Sequence, residues 1–227
     1  MLFRWCLVLI VGLVLATMAR AEDKPAPPRV AWDFGYLPQK STVSHVFHLV
    51  NSDSTPMAVT RIKSGCSCTS VNEITDAIAP GDSVPIVVTF SSGRYRDRVV
   101  KTTRVYTSSE RFPEFHFRIE AYVLKRGLAR GCLRVEPESL TRRDAKTSDT
   151  LTIANDGDHP LTVRMVHVPT AWVDVPAVPA VVDAGAEIKL VVRYLGDPAA
   201  VTSALSLSLS FSGSDTTIVT VPVRIED

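Results

Sequence analysis

Leu205-Ser206-Leu207-Ser208-Leu209-Ser210-Phe211 alternates apolar and hydroxyl side chains without a break. A period of two sends Leu205, Leu207, Leu209 and Phe211 to one side of an extended chain and the three serines to the other, as in a β-strand with one face on a core. Ser212-Gly213-Ser214-Asp215 then reads as a turn and Thr216 to Ile225 as a second strand, so a β-hairpin ends the chain. Working outward, the same pattern recurs: short alternating runs, each interrupted after about eight to twelve residues by Pro, Gly, Asn, Asp or Ser. No stretch carries a helical period. The fold class expected is all-β.

The chain also repeats itself at long range. Val46-Phe47-His48-Leu49-Val50-Asn51, followed by Pro56-Met57-Ala58-Val59, has a counterpart in Thr150-Leu151-Thr152-Ile153-Ala154-Asn155, followed by Pro160-Leu161-Thr162-Val163. Asn155 lies 104 residues after Asn51, and Pro160 lies 104 after Pro56. At that offset Gly81 falls on Gly185, and Val84, Ile86, Val88 and Phe90 fall on Ile188, Leu190, Val192 and Tyr194. A period near 100 residues suits sandwiches of about seven strands and not a solenoid of short units. Two tandem immunoglobulin-like β-sandwich domains are expected at 30–124 and 132–227, joined by a basic, Gly-containing linker at 125–131. Asn51 and Asn155 are expected to end strands, tolerating left-handed backbone angles while their side chains cap a nearby amide.

At the N-terminus Arg4 precedes an apolar run from Trp5 to Ala16, and Ala19-Arg20-Ala21 forms a small-x-small site. This predicts a signal peptide at 1–21, followed by a Pro-rich leader at 22–29. The apolar run is shorter than the roughly 20 residues a spanning helix needs, so no membrane span is expected after cleavage. The protein is expected to be exported, to the periplasm. Among 25 basic and 24 acidic residues, Arg4 and Arg20 leave with the leader, so 23 face 24 and the net charge is −1. Near neutrality argues against a dedicated nucleic-acid binder, and 45% apolar residues argue against disorder. Cys6 leaves too, so three of the four cysteines enter a compartment that favours disulfides.

The first repeat resembles a known family. Trp32-Asp33-Phe34-Gly35, Val46-Phe47 running to Asn51, Gly65-Cys66-Ser67-Cys68-Thr69, and Ala79-Pro80-Gly81-Asp82 with a β-run to Phe90 are similar, in order and spacing, to the bacterial exported domain of unknown function 1573 family. The resemblance covers about Val30 to Val123. It implies an immunoglobulin-like fold in an exported protein and implies no activity. The family's usual Cys-Gly-Cys is here Cys-Ser-Cys, with the thiol spacing kept. The second repeat has Thr170 and Trp172 where the cysteines would fall.

If one sandwich closes with Thr170 and Trp172, the architecture does not require Cys66 and Cys68. In an extended segment residues i and i+2 project to the same side, so the pair could offer two thiolates to a soft cation such as copper(I) or act in thiol redox chemistry. An ordinary zinc site is not visible, because zinc wants four ligands at other spacings. The competing reading is a structural disulfide. One of the pair could bond Cys132 and pin the linker to the first domain, or Cys66 and Cys68 could bond each other if the segment turns, since extended i, i+2 Cα atoms sit at the limit of disulfide reach, about 6.8 Å.

Arg94, Arg96 and Arg98 occupy alternate positions and would share one side of a strand. They read either as a charged edge that discourages sheet-to-sheet pairing or as a contact for an anionic partner. His45 and His48 fall on opposite strand faces and do not converge on one ligand, while Trp32, Phe34, Phe90 and Phe117 sit on apolar alternations that suit a core. No nucleophile elbow, zinc-protease motif or phosphate loop occurs in the sequence. The function expected is an exported, non-enzymatic binding or structural module without a cofactor, whose partner is a protein or another envelope component and not nucleic acid. The alternatives are a periplasmic chaperone-like protein acting by strand addition and a copper-binding or thiol-redox protein using Cys66 and Cys68.

Overall fold

The computed structural model describes residues 26–143, 147–201, 203–213 and 215–226; the signal peptide expected at 1–21 and the start of the 22–29 leader lie outside the described residues. The first half of the chain is built from β1 (Arg29–Pro38), β2 (Thr42–Val50), β3 (Val59–Lys63), β4 (Thr69–Val71), β5 (Ser83–Ser91), β6 (Asp97–Thr107) and β7 (Glu114–Leu124). Strands β1-β7-β6-β3 form one sheet and β2-β5-β4 the other. Phe34 and Phe117 from the first meet Phe47 and Phe90 from the second in one buried cluster, so the alternation read from the sequence becomes the inside of a seven-stranded sandwich.

The second half contains β8 (Leu128–Arg130), β9 (Leu133–Glu136), β10 (Leu140–Arg142), β11 (Ser148–Asn155), β12 (Leu161–His167), β13 (Val173–Asp174), β14 (Ala180–Val182), β15 (Glu187–Tyr194), β16 (Leu205–Ser212) and β17 (Thr216–Ile225). One sheet runs β13-β15-β11-β9-β8, and the other runs β14-β12-β16-β17 with β10 also on β17. Leu151, Leu190, Leu207, Phe211 and Val219 fill the space between them. A single 3₁₀ turn, Pro198–Ala200, precedes β16. Part of the stretch read as a linker is itself structured: Leu128–Arg130 is a strand, and Leu128 reaches the second core. Burial of that one leucine draws the start of the second sandwich back from 132 to 128.

The 104-residue offset holds in the hydrogen-bond register. Phe47 pairs with Ile86 as Leu151 pairs with Leu190, and Met57 bridges Ile78 as Leu161 pairs with Val182. Asn51 donates to the carbonyls of Thr55 and Ile78 and accepts from the Asp53 amide; Asn155 does the same with His159, Val182 and Gly157. Both asparagines are fully buried. The left-handed backbone expected of them is not observed, since among described non-glycine residues only Lys40 and Asp97 have positive φ. Their value lies in the side-chain amide, which bonds backbone groups on both sides of the turn, a buried carbonyl among them in each case.

The two sandwiches share a sheet. Short β10 covers β17 only at Val223 to Ile225, which leaves the rest of that edge free, and β1 takes it up with Tyr36 beside Val219. The result is one nine-stranded sheet through both halves. Gly35 makes the approach possible: its φ is +63°, and a Cβ there would collide with the Ile218 carbonyl. The serine face of the Leu205–Phe211 strand is therefore not a solvent face. Ser206 and Ser208 are 1% and 0% exposed, β16 lies against β2, and Thr220, bonded to Ser208 at 2.8 Å, donates to the Phe34 carbonyl at 2.6 Å. A hydroxyl suits this seam where it can satisfy a backbone carbonyl in a place closed to water, as Thr220 does, whereas the buried Ser206 hydroxyl has no partner among the described residues.

Candidate functional site

Between β3 and β4 the chain crosses from one sheet of the first sandwich to the other through Ser64-Gly65-Cys66-Ser67-Cys68. Gly65 lets the backbone pass the Thr102 carbonyl, which a Cβ would meet at 3.1 Å. The segment then turns: the Thr69 amide donates to the Cys66 carbonyl at 3.3 Å, and the Ser91 amide holds the Cys68 carbonyl at 2.9 Å. Turning brings the two Cα atoms to 5.2 Å, and Cys66 and Cys68 are joined by a disulfide.

This corrects two expectations. The segment is not extended, and while the Cys66–Cys68 bond is closed the pair offers no thiolates to copper. Cys132 does not pin the linker either: it is free and exposed, sits between β8 and β9 of the second sandwich, and its carbonyl accepts from the Asp156 amide at 2.7 Å. A ring closed between residues i and i+2 removes little entropy from the unfolded chain, at most about 2 kcal/mol of stabilisation.

The two cysteines are half-buried, whereas Ser67 between them is exposed. Tyr95 Oη donates to Cys68 Sγ at 3.4 Å. Thr69 Oγ1 lies 3.5 Å from Cys66 Sγ and 3.8 Å from Cys68 Sγ. Lys101 Nζ stands 4.5 Å from the centre of the Tyr95 ring. Cys68 packs against the first core, and Cys66 does not. Sequence reasoning named the two cysteines but missed Tyr95, Thr69 and Lys101. Thr69 adjoins the motif and was legible as a neighbour; Tyr95 comes from the turn before β6 and carries no local signal linking it to Cys68.

The second sandwich builds the same crossing without sulfur. Val173 pairs with Tyr194 as Thr69 pairs with Phe90, and the Leu195 amide holds the Trp172 carbonyl as the Ser91 amide holds that of Cys68. Trp172 replaces Cys68 and lies across Gly196.

The arginine stripe dissolves in three dimensions. Arg94 and Arg96 occupy the turn before β6 and are exposed, and Arg98 alone lies on that strand, bonded to Glu120 at 2.6 Å. Strand β3 covers β6 only from Arg104 to Thr107, so Arg98 lies where β6 is paired to β7 alone, while Arg94 and Arg96 lie outside the strand. The turn, with positive φ at Gly93 and Asp97, breaks the alternation the spacing suggested.

A second cluster occupies the seam. The His45 ring stacks on Trp32 with centres 4.0 Å apart, and His167 of β12 stands edge-on to both at 5.8 and 5.7 Å. Burial, then the neighbouring His167 and His48, hold the His45 pKa down at about 4. Burial also lowers that of His167. His48 is exposed, as expected from the opposite strand face.

Among solved structures, the chain is similar to a protein of unknown function from Porphyromonas gingivalis W83 at 15% identity, over 86% of this chain and 96% of that one, with a TM-score of 0.35. The tandem Ig repeats of Dlar align at 11% identity over 89% and 96% with a TM-score of 0.35, and the Pseudomonas aeruginosa CupB2 chaperone at 11% over 83% and 96% with 0.29. No curated protein matches the chain. The model of the family described as protein of unknown function (DUF1573) matches residues 28–123. That span agrees with the resemblance carried by Val30 to Val123: the first half of the chain is a DUF1573 domain.

Proposed function

We propose that this chain is an exported, non-enzymatic binding or structural module that works as one rigid two-sandwich body in the cell envelope. The observation that carries the reading is the shared nine-stranded sheet, whose seam is closed by the Thr220 bond to Phe34 and by buried Ser206 and Ser208. Tandem domains joined by a bare linker move independently by default, whereas a continuous sheet holds the loops of both sandwiches at one spacing. Such a body suits a partner that touches both halves. Localisation rests on the leader pattern at 1–21.

The test has two parts. Fractionated cells should yield a chain beginning at Glu22 outside the cytoplasm, and relaxation measurements on that chain should give one rotational correlation time for both sandwiches. Recovery of the uncleaved chain in the cytoplasm, or two independent correlation times, would overturn the reading.

Strand addition is a second reading, favoured by one observation. Among the described residues, strand β2 is paired only to β5, whereas its counterpart β11 is also paired to β9. Beyond the stretch against β16, β2 could accept a strand of a protein partner. Such a partner should cross-link to exposed Val50 at the end of β2 and be lost on Val50→Pro.

A further inference from the structure

We propose that Cys66 and Cys68 form a thiol–disulfide exchange centre that trades an electron pair with paired cysteines of a partner protein, Cys66 being the sulfur attacked and Cys68 the leaving thiolate. Three observations converge on this.

The fold does not need the bond. The second sandwich makes the matching crossing, in the same register and with the same amide-to-carbonyl bond, using Thr170 and Trp172. Both cysteines are half-buried at a turn whose middle residue, Ser67, is exposed, so an incoming thiolate can approach from that side. The surroundings of the two sulfurs also differ. Cys68 leans on the core and receives the Tyr95 hydroxyl at 3.4 Å, with Lys101 over the Tyr95 ring at 4.5 Å. A cation above the ring strengthens the phenol as a donor, and a donor aimed at sulfur stabilises a thiolate more than a neutral sulfur. Exchange is fastest when the departing sulfur is the better stabilised anion. That assigns departure to Cys68 and attack to Cys66, which among the described residues has the Thr69 hydroxyl alone, at 3.5 Å.

The steps balance as follows. A thiolate of the partner attacks Cys66 Sγ, the Cys66–Cys68 bond breaks, and its electron pair leaves on Cys68 beside Tyr95 Oη–H. The mixed disulfide joins Cys66 to the partner. The partner's second thiolate then attacks the partner sulfur in that bond and releases Cys66. The partner's two thiols become a disulfide, and the two protons they gave up end on Cys66 and Cys68. Run backwards, the same steps deliver a disulfide to a partner dithiol.

The test uses the full chain with Cys132→Ser, which removes the free thiol, in graded mixtures of reduced and oxidised glutathione, with thiols counted by alkylation and mass. Cys66 and Cys68 should open and reclose reversibly while the far-ultraviolet circular dichroism stays that of the folded protein. In that background, opening quenched part-way with acid should leave glutathione on Cys66 at least about tenfold more often than on Cys68, as located by peptide mass. Tyr95→Phe should slow opening by about tenfold. A bond that opens only when the protein unfolds would overturn the proposal, as would glutathione divided equally between Cys66 and Cys68.

Discussion

The two sandwiches are built to one register and finished differently. Both have the buried asparagine at a strand end, the same pairing of the strand leading to it (β2 with β5, β11 with β15), and the same crossing anchored by one amide. They differ in the path of the first strand. In the second sandwich that strand is split: β9 covers β11, and β10 covers the end of β17. In the first, β1 stays on β7 along its whole length, so β2 lacks the partner that β11 has. Each half leaves open what the other supplies, since β1 fills the bare edge of β17 and β16 lies against β2. The comparison separates residues that make a sandwich from residues that make this pair of sandwiches.

The largest test breaks the pairing. Gly35→Ala places a Cβ against the Ile218 carbonyl at a positive φ, and should cost about 4 kcal/mol and uncouple the halves, read as a split into two melting transitions. Asn51→Ala removes three bonds to the backbone and Asn155→Ala four, so each should cost about 3 kcal/mol in chemical denaturation; a loss below about 1 kcal/mol at either would mean that its turn closes without the amide.

The seam should respond to acid. His45 has its folded pKa held near 4, below the ordinary 6.5, so protonation favours the unfolded chain. The stability this contributes is present above about pH 6.5 and is lost as pH falls toward 4, with His167 acting in the same direction. Partial exposure screens the effect, and about 2 kcal/mol should disappear across that window. Melting curves should show His45→Gln flattening the dependence. The smallest effect concerns sulfur: Cys66→Ser with Cys68→Ser should cost about 1 kcal/mol, because the second sandwich closes the same turn without it.

Much of this was legible in the sequence, for a physical reason. Alternation at Leu205 to Phe211 and the 104-residue offset report strand faces and register, and both are set by neighbours within one sheet. Arg94, Arg96 and Arg98 misled because alternation implies a shared face only where the chain stays extended, and here it turns. Cys66 and Cys68 were legible as a site because the second repeat lacks them. Their pairing was not, since it depends on a turn that Gly65, the Thr69 amide and the Ser91 amide create together.

By itself, the sequence determined the all-β class, the two similar halves and the positions that fill their cores, because each follows from spacing between residues near in sequence or at a constant offset. Only the tertiary structure decided that the serine face is buried, that Tyr95 attends Cys68, and that the halves share a sheet. These join elements from distant parts of the chain, Phe34 with Thr220 being the longest reach, and no local period encodes which edge a strand will meet.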